Sequence, residues 1–240
     1  MAEYLLEHAS MPLLNVKVWR GSADGQFVAY QVPCRDEQTV LDLVMHIQRR
    51  IDPTLSYRHA CRVGKCGSCA MTVNGVARWA CRTQAIRVAR DAALEIAPLS
   101  HLPVIKDLVT DMLPFFDKWQ QAGGPFQGRA TRRQPLNAAP VQDSASECIG
   151  CAICHASCDV VASRPDYLGP AALHHAWTLI NDSRDTASAR RLGAVAGDAG
   201  CLGCHAHTSC SERCPKGLDP AAAIAALKRV TALALLRKEL

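Results

Sequence analysis

Residues 148–158 read CIGCAICHASC, four cysteines spaced C-x2-C-x2-C-x3-C. This spacing wraps an iron–sulfur cubane, and such a run ordinarily ends in Cys-Pro. Here Asp159 follows Cys158, and the Cys-Pro pair stands instead at Cys214-Pro215. A second segment, CHAHTSCSERCP at 204–215, repeats the frame of the first. Cys204, Cys210 and Cys214 occupy its first, third and fourth places, and His207 stands where the second cysteine is due.

In two-cluster ferredoxins the fourth cysteine of each run ligates the other run's cluster. That rule joins Cys214 to Cys148, Cys151 and Cys154 on one [4Fe–4S] cluster. Cys158 crosses to Cys204 and Cys210, a site with three thiolates. A cubane lacking one corner ligand tends to lose that iron, so [3Fe–4S] is expected there. His207 could ligate a fourth iron, since imidazole is a competent iron ligand. Cys201, three residues before Cys204, could compete as a ligand. His155, His174 and His175 read as surface groups or neighbours of the ligands, because the thiolates suffice without them.

The first half carries CRVGKCGSC at 61–69 and then Cys81. Cys61, Cys66, Cys69 and Cys81 have the C-x4-C-x2-C…C spacing of a plant-type [2Fe–2S] centre, with the last cysteine early. Gly64 and Gly67 allow the tight turns that aim backbone N–H groups at the sulfurs. Of the thirteen cysteines, Cys34 and Cys201 are left over and read as buried, inert thiols.

The chain has 240 residues, 49% hydrophobic, with a net charge of +5. No Lys/Arg run exceeds two residues, which argues against nucleic acid as a partner. The opening MAEYLLEHASMPLL lacks the pattern of a secretory signal, so dense cysteines point to metal rather than disulfides. Zinc needs only C-x2-C pairs, and the tight runs here suit iron–sulfur cubanes better. No apolar run is long enough to span a bilayer. The C-terminal PAAAIAALKRVTALALLRKEL is interrupted by Lys228 and Arg229 and reads as an amphipathic helix packed on its own domain. No G-x-G-x-x-G or G-x-S-x-G motif is present, so no residue is assigned a catalytic role.

Leu14, Val16 and Val18 alternate with polar or larger residues, a strand period, and FVAYQV at 27–32 forms a second strand. Val40, Leu43, Val44 and Ile47 recur at helical spacing, with Asp36 or Thr39 as N-cap. Asn74-Gly75 predicts a hairpin with a type I′ turn, and ALEIA at 93–97 a closing strand. The second half reads as helical: LPVIKDLVTDMLPFFDKW, with Val104, Leu108, Met112, Phe115 and Phe116 on one side, then GPAALHHAWTLINDS and the C-terminal segment. QAGGPFQGRATRRQPLNAAPVQDSASE, at 121–147, reads as a long surface loop between the two units.

The order and spacing of these ligands resemble the iron–sulfur subunit of succinate dehydrogenase and fumarate reductase. YRHACRVGKCGSCAMTVNG, LPVIKDLVTDM, ECIGCAIC, YLGPAAL, NDSRDT and CSERCPKGLDPAAAI carry the resemblance over nearly the whole chain. It implies an α+β chain: a β-grasp [2Fe–2S] ferredoxin domain over 1–106, then an all-α ferredoxin domain over 107–240 holding [4Fe–4S] and [3Fe–4S]. It implies a partner flavoprotein whose FAD interconverts succinate and fumarate. Electrons would then pass through [2Fe–2S], [4Fe–4S] and [3Fe–4S] to a quinone in a membrane anchor. The expected location is the cytoplasmic face of the bacterial inner membrane, held peripherally by partner subunits. His205 and Lys228 match quinone-proximal positions of the family. Asp159 and Val160 replace its Pro and Ser, and Ser163 stands where its Trp would be. These departures leave menaquinone or a non-quinone acceptor open. The alternatives are the iron–sulfur subunit of a soluble fumarate reductase or related dehydrogenase, and a free-standing ferredoxin-like carrier.

Overall fold

The computed structural model describes residues 12–128 and 145–238. The chain divides into two compact units between Asp111 and Met112. The start of the opening segment and most of the 121–147 stretch lie outside the described residues.

The first unit is a mixed sheet with one helix laid on it. Strands β1 (Leu13–Arg20) and β2 (Gln26–Pro33) form an antiparallel pair. Strands β3 (Ala70–Val73) and β4 (Val76–Trp79) form the predicted hairpin. Its turn has Asn74 at φ 47° and Gly75 at φ 76°, both left-handed as a type I′ turn requires. Strand β5 (Ala93–Ala97) closes the sheet, parallel to β1 and antiparallel to β3, giving the order β2-β1-β5-β3-β4. Leu14, Val16 and Val18 point to the buried face, joined by Met71, Val73, Leu94 and Ile96. Helix α1 (Val40–His46) covers that face with Leu41, Leu43 and Val44. Thr39 caps it: its hydroxyl accepts from Asp42 N–H, and the Asp42 carboxylate accepts from Thr39 N–H at 3.0 Å. Such a reciprocal cap satisfies two orphan donors of the helix start. A wider π turn, Ile47–Ile51, extends α1, and a short helix, α2 (Ala85–Val88), precedes β5.

The structure corrects one helical expectation. Residues 104–110 form a small antiparallel hairpin, β6 (Val104–Lys106) and β7 (Val109–Thr110), and helix α3 begins only at Leu113, running to Gln121. Asp107 sits between β6 and β7 at φ 53°, a conformation that breaks a helix. Its buried carboxylate holds it there. It accepts from Arg20 Nε at 3.1 Å, Gly21 N–H at 2.8 Å and Ser56 N–H at 2.8 Å. The hairpin belongs to the first unit, so the unit division lies beyond the expected 106/107 boundary.

The second unit is helical. After α3 come α4 (Ile153–Ala156), α5 (Asp159–Ser163), α6 (Pro170–Ile180), α7 (Ser188–Val195), α8 (Ser209–Glu212) and α9 (Pro220–Leu236). Pro170 and Pro220 open α6 and α9, where the missing N–H costs nothing. Leu168, Leu173, Ala176, Val195, Ile224 and Leu227 form the core. The described start of the expected inter-unit loop is bound within this unit. Arg191, wholly buried on α7, donates to the carbonyls of Gly123, Gly124 and Pro125 and pairs with buried Asp185 at 2.9 Å. Asp185 in turn accepts from Gln127 N–H at 3.0 Å. No helix among the described residues is long and apolar enough to cross a membrane.

Asp107→Ala removes a buried carboxylate and strands its donors. It is expected to cost about 3 kcal/mol, lowering the temperature at which the holoprotein loses its [2Fe–2S] absorbance by on the order of 10 °C. An unchanged midpoint would mean that this carboxylate does not hold the hairpin.

Candidate iron–sulfur sites

The loop at 61–69 and the β3–β4 hairpin bring the first four cysteines together. The residues between Cys69 and Cys81 are β3, its two-residue turn, β4 and Ala80, which is why the fourth cysteine comes early. Ala70 pairs with Trp79, and Ala80 N–H donates to the Cys69 carbonyl at 3.1 Å, so Cys69 and Cys81 lie side by side. On the other side, Gly64 (φ 70°) and Gly67 (φ 74°) turn the loop. A Cβ on Gly64 would meet the Trp79 ring at 2.9 Å. The turns aim N–H groups inward: Lys65 and Cys66 donate to the Cys61 sulfur at 3.2 and 3.3 Å. With Val63 N–H, those donors hold the Cys61 thiol down at about 6. Burial instead pushes Cys69 up to about 12. Half the site is thus a donor-rich loop and half an apolar hairpin.

In the second unit the two runs share a backbone path. Gly150 (φ 63°) and Ala152 (φ 59°) are left-handed in the first, and Ala206 (φ 57°) and Thr208 (φ 62°) in the matching places of the second. One short helix follows each, α4 after Ala152 and α8 after Thr208. The runs then exchange their last cysteines. One apolar-lined cavity of about 410 Å³ is bordered by Cys148, Cys151, Cys154 and Cys214, with Phe115, His174 and Pro215. Another, of about 360 Å³, is bordered by Cys158, Cys204 and Cys210, with Tyr167, His205 and His207. Cys214 thus borders the cavity of the first run, and Cys158 that of the second.

Burial raises the thiols of Cys148, Cys154, Cys158 and Cys210 above the ordinary range. N–H groups of Gly150 at Cys148, and of Val161 and Val160 at Cys158, oppose that rise. Such thiols become ligating thiolates only beside concentrated positive charge, which iron supplies. No three His, Cys, Asp or Glu side chains among the described residues converge closely enough to hold one ion. The thiols are spread around volumes, a donor set that fits polynuclear iron–sulfur clusters.

Helix α9 fixes the second run from behind. Lys228 Nζ donates to the Cys204 carbonyl at 2.5 Å. Ser211, next to Cys210, donates to Asp219 Oδ1 at 2.5 Å, and Asp219 caps α9 by accepting from Ala222 N–H at 3.0 Å. Lys228 therefore positions the cysteine loop, a role its sequence position did not signal. His205 is exposed at the rim of the second cavity, its ring 5.9 Å from that of His207. Ser163 caps its own helix turn, donating to the carbonyls of Asp159 and Val160. Cys201 lies outside the rim, in the core, its sulfur 3.5 Å from Thr231 Oγ1. Cys34 is buried in the first unit's core, where burial raises its thiol.

Of the two readings of His155 and His174, surface groups or neighbours of the ligands, the structure favours the second. His155 and His174 are buried, at 3% and 2% exposure, rather than on the surface. His155 meets the Phe115 ring edge-to-face at 5.6 Å, and His174 borders the four-thiol cavity. His175 is half-buried and stacks on Trp119 at 4.7 Å. Tyr167, 1% exposed, was not singled out in the sequence. It borders the three-thiol cavity facing Cys204, and burial pushes its phenol well above the usual range. Only its neighbourhood in the YLGPAAL segment could have marked it.

Residues 15–117 match the family model of the 2Fe-2S iron-sulfur cluster binding domain, and residues 144–218 that of the 4Fe-4S dicluster domain. The chain is 39% identical to a succinate dehydrogenase iron-sulfur subunit of Paracoccus denitrificans, over 80% of this chain and 75% of that one. It is 37% identical to a fumarate reductase iron-sulfur subunit of Mycobacterium tuberculosis, over 88% of both. Its fold resembles a chain of the Mycobacterium smegmatis Sdh1 complex in the apo form, with TM-score 0.83 and 26% identity, over 93% of this chain and 97% of that one.

The crossing makes partners of residues far apart in sequence. Cys214→Ser is expected to perturb the same EPR signals as Cys151→Ser, and Cys158→Ser the same signals as Cys210→Ser. If Cys214→Ser instead behaved like Cys210→Ser, each run would hold its own cluster.

Proposed function

The chain belongs to the family of succinate dehydrogenase and fumarate reductase iron–sulfur subunits, and from that premise we propose how its residues serve a dicarboxylate–quinone oxidoreductase. It is an electron-transfer subunit of such an oxidoreductase complex, carrying [2Fe–2S] and cubane-type clusters. Cys61, Cys66, Cys69 and Cys81 hold [2Fe–2S]. Cys148, Cys151, Cys154 and Cys214 hold [4Fe–4S], and Cys158, Cys204 and Cys210 hold [3Fe–4S]. When bound, these clusters supply one-electron carriers between the FAD of a flavoprotein subunit and a quinone at a membrane anchor.

The chain's own groups set how those carriers behave. Lys65 and Cys66 N–H groups donate to the Cys61 sulfur, which stabilises added negative charge and raises the potential there. Phe115, Ile149 and Pro215 line the four-thiol cavity and exclude water, which favours the less charged state. Ala206 N–H donates to the Cys204 sulfur at 3.4 Å at the third site. The observation that carries the reading is the exchange of Cys158 and Cys214 between the two cavities, which leaves one site with four thiols and the other with three.

The protein itself is peripheral, reaching the cytoplasmic face of the inner membrane through its partners. Val160, which borders the three-thiol cavity, and Ser163, on the same short helix, stand where the family has Ser and Trp, which supports an acceptor other than ubiquinone, either menaquinone or a non-quinone acceptor.

The test is to tag this chain, extract membranes in mild detergent and identify what co-purifies. A flavoprotein with small helical membrane proteins is expected. A flavoprotein alone in the soluble fraction would overturn the quinone-linked reading in favour of a soluble dehydrogenase. The chain alone, running as a monomer, would leave a free carrier.

A further inference from the structure

We propose that His207 is a fourth, reversible ligand that lets the three-iron cluster capture a ferrous ion. The inference rests on the assignment of Cys158, Cys204 and Cys210 to that cluster.

Two linked observations lead to His207. The first is the repeated backbone. Residue 207 lies between left-handed Ala206 and Thr208, as ligand Cys151 lies between left-handed Gly150 and Ala152. The loop that presents a ligand in one run is therefore intact in the other, and His207 borders the same cavity as the three thiols. The second is the cost of keeping that loop. A positive φ is a genuine outlier for a β-branched residue such as Thr208. Its hydroxyl sits 2.7 Å from the His207 carbonyl and 2.9 Å from Glu212 Oε1, contacts that hold the turn. Local strain of this kind persists where the surroundings over-determine it, commonly at ligand-holding sites. An exposed residue with no task would be released from such a turn by glycine or asparagine.

Imidazole is a weaker and neutral substitute for thiolate, so His207 completes the corner without locking it. The chemistry balances. One electron from the donor side brings the three-iron core to its neutral state. That core and Fe2+ then give a four-iron core of charge 2+. Bonds form from three core sulfides and one His207 ring nitrogen to the incoming iron, no bond of the original core breaks, and a protonated imidazole would first release its proton to water. Oxidation reverses the step and releases the iron. His207 is exposed, so the ion can arrive from solvent. The corner would thus act as a sensor of ferrous iron under reducing conditions.

The experiment uses the intact complex under anaerobic conditions. The wild type, H207A, H207N and H207C are reduced, incubated with graded Fe2+, and read while still reduced by parallel-mode EPR of the neutral three-iron core, together with iron analysis after unbound iron is removed. The wild type is expected to lose that signal at a Fe2+ concentration at least about tenfold below that needed by H207A or H207N. H207C, with a full thiolate set, is expected to hold the fourth iron without added Fe2+. Equal Fe2+ dependence in the wild type and H207N, with H207C converted, would overturn the role of His207 while leaving the cluster assignment standing. A three-iron signal absent from H207A and H207N alike would overturn the assignment itself, and the proposal with it.

Discussion

A cubane needs thiolates from several directions at once, and one turn of chain cannot provide them. The second unit meets that constraint by lending the last cysteine of each run to the other cavity. Much of its architecture follows. The two runs must lie close enough to exchange Cys158 and Cys214, so the helices between them fold back as a layer. Leu173 and Ala176 of α6 pack with Ile224 and Leu227 of α9 behind the loops. Lys228 and the Ser211–Asp219 pair tie the second run to α9. Burial opposes ionisation of these thiols, so thiolate ligation there calls for the positive charge of iron.

The first unit meets the same need locally. A glycine-turned loop supplies three thiols and one hairpin returns the fourth, so its site depends on short-range geometry. The loop residues Arg62, Val63, Lys65 and Ser68 stay exposed, while the hairpin cysteines are buried. A carrier with one open edge suits exchange with a partner protein. The two sites of the second unit differ in lining: the four-thiol cavity is almost wholly apolar, and the three-thiol cavity has an exposed histidine rim.

Much of this was legible in the residues. Thr39, the Leu14–Val16–Val18 alternation and Asn74-Gly75 each act through local chemistry, and each lies where its pattern placed it. The cysteine spacing marked both runs as a pair before the cavities they border were seen. Two features stayed hidden because their partners lie far away in sequence. The hairpin at 104–110 carries a helix-like apolar pattern, but Asp107 turns the chain to reach Arg20, Gly21 and Ser56. Arg191 and Asp185 look like surface charges until the carbonyls of Gly123, Gly124 and Pro125 gather around the guanidinium. His155 and His174 carry no apolar signature, so the sequence left surface and ligand-neighbour readings side by side, and burial in the helical layer favours the second. The left-handed Ala206 and Thr208 have no sequence mark, because neither residue ordinarily adopts that conformation.

The central claim is the proposal that one chain carries three clusters in electronic contact with a partner that interconverts succinate and fumarate. The most direct test is to titrate the purified complex anaerobically with succinate while recording EPR, with iron analysis on the same sample. The account predicts about nine irons per chain, loss of the oxidised three-iron signal and appearance of a reduced [2Fe–2S] signal as succinate is added. Full iron content with no EPR change on adding succinate, but normal reduction by dithionite, would contradict it.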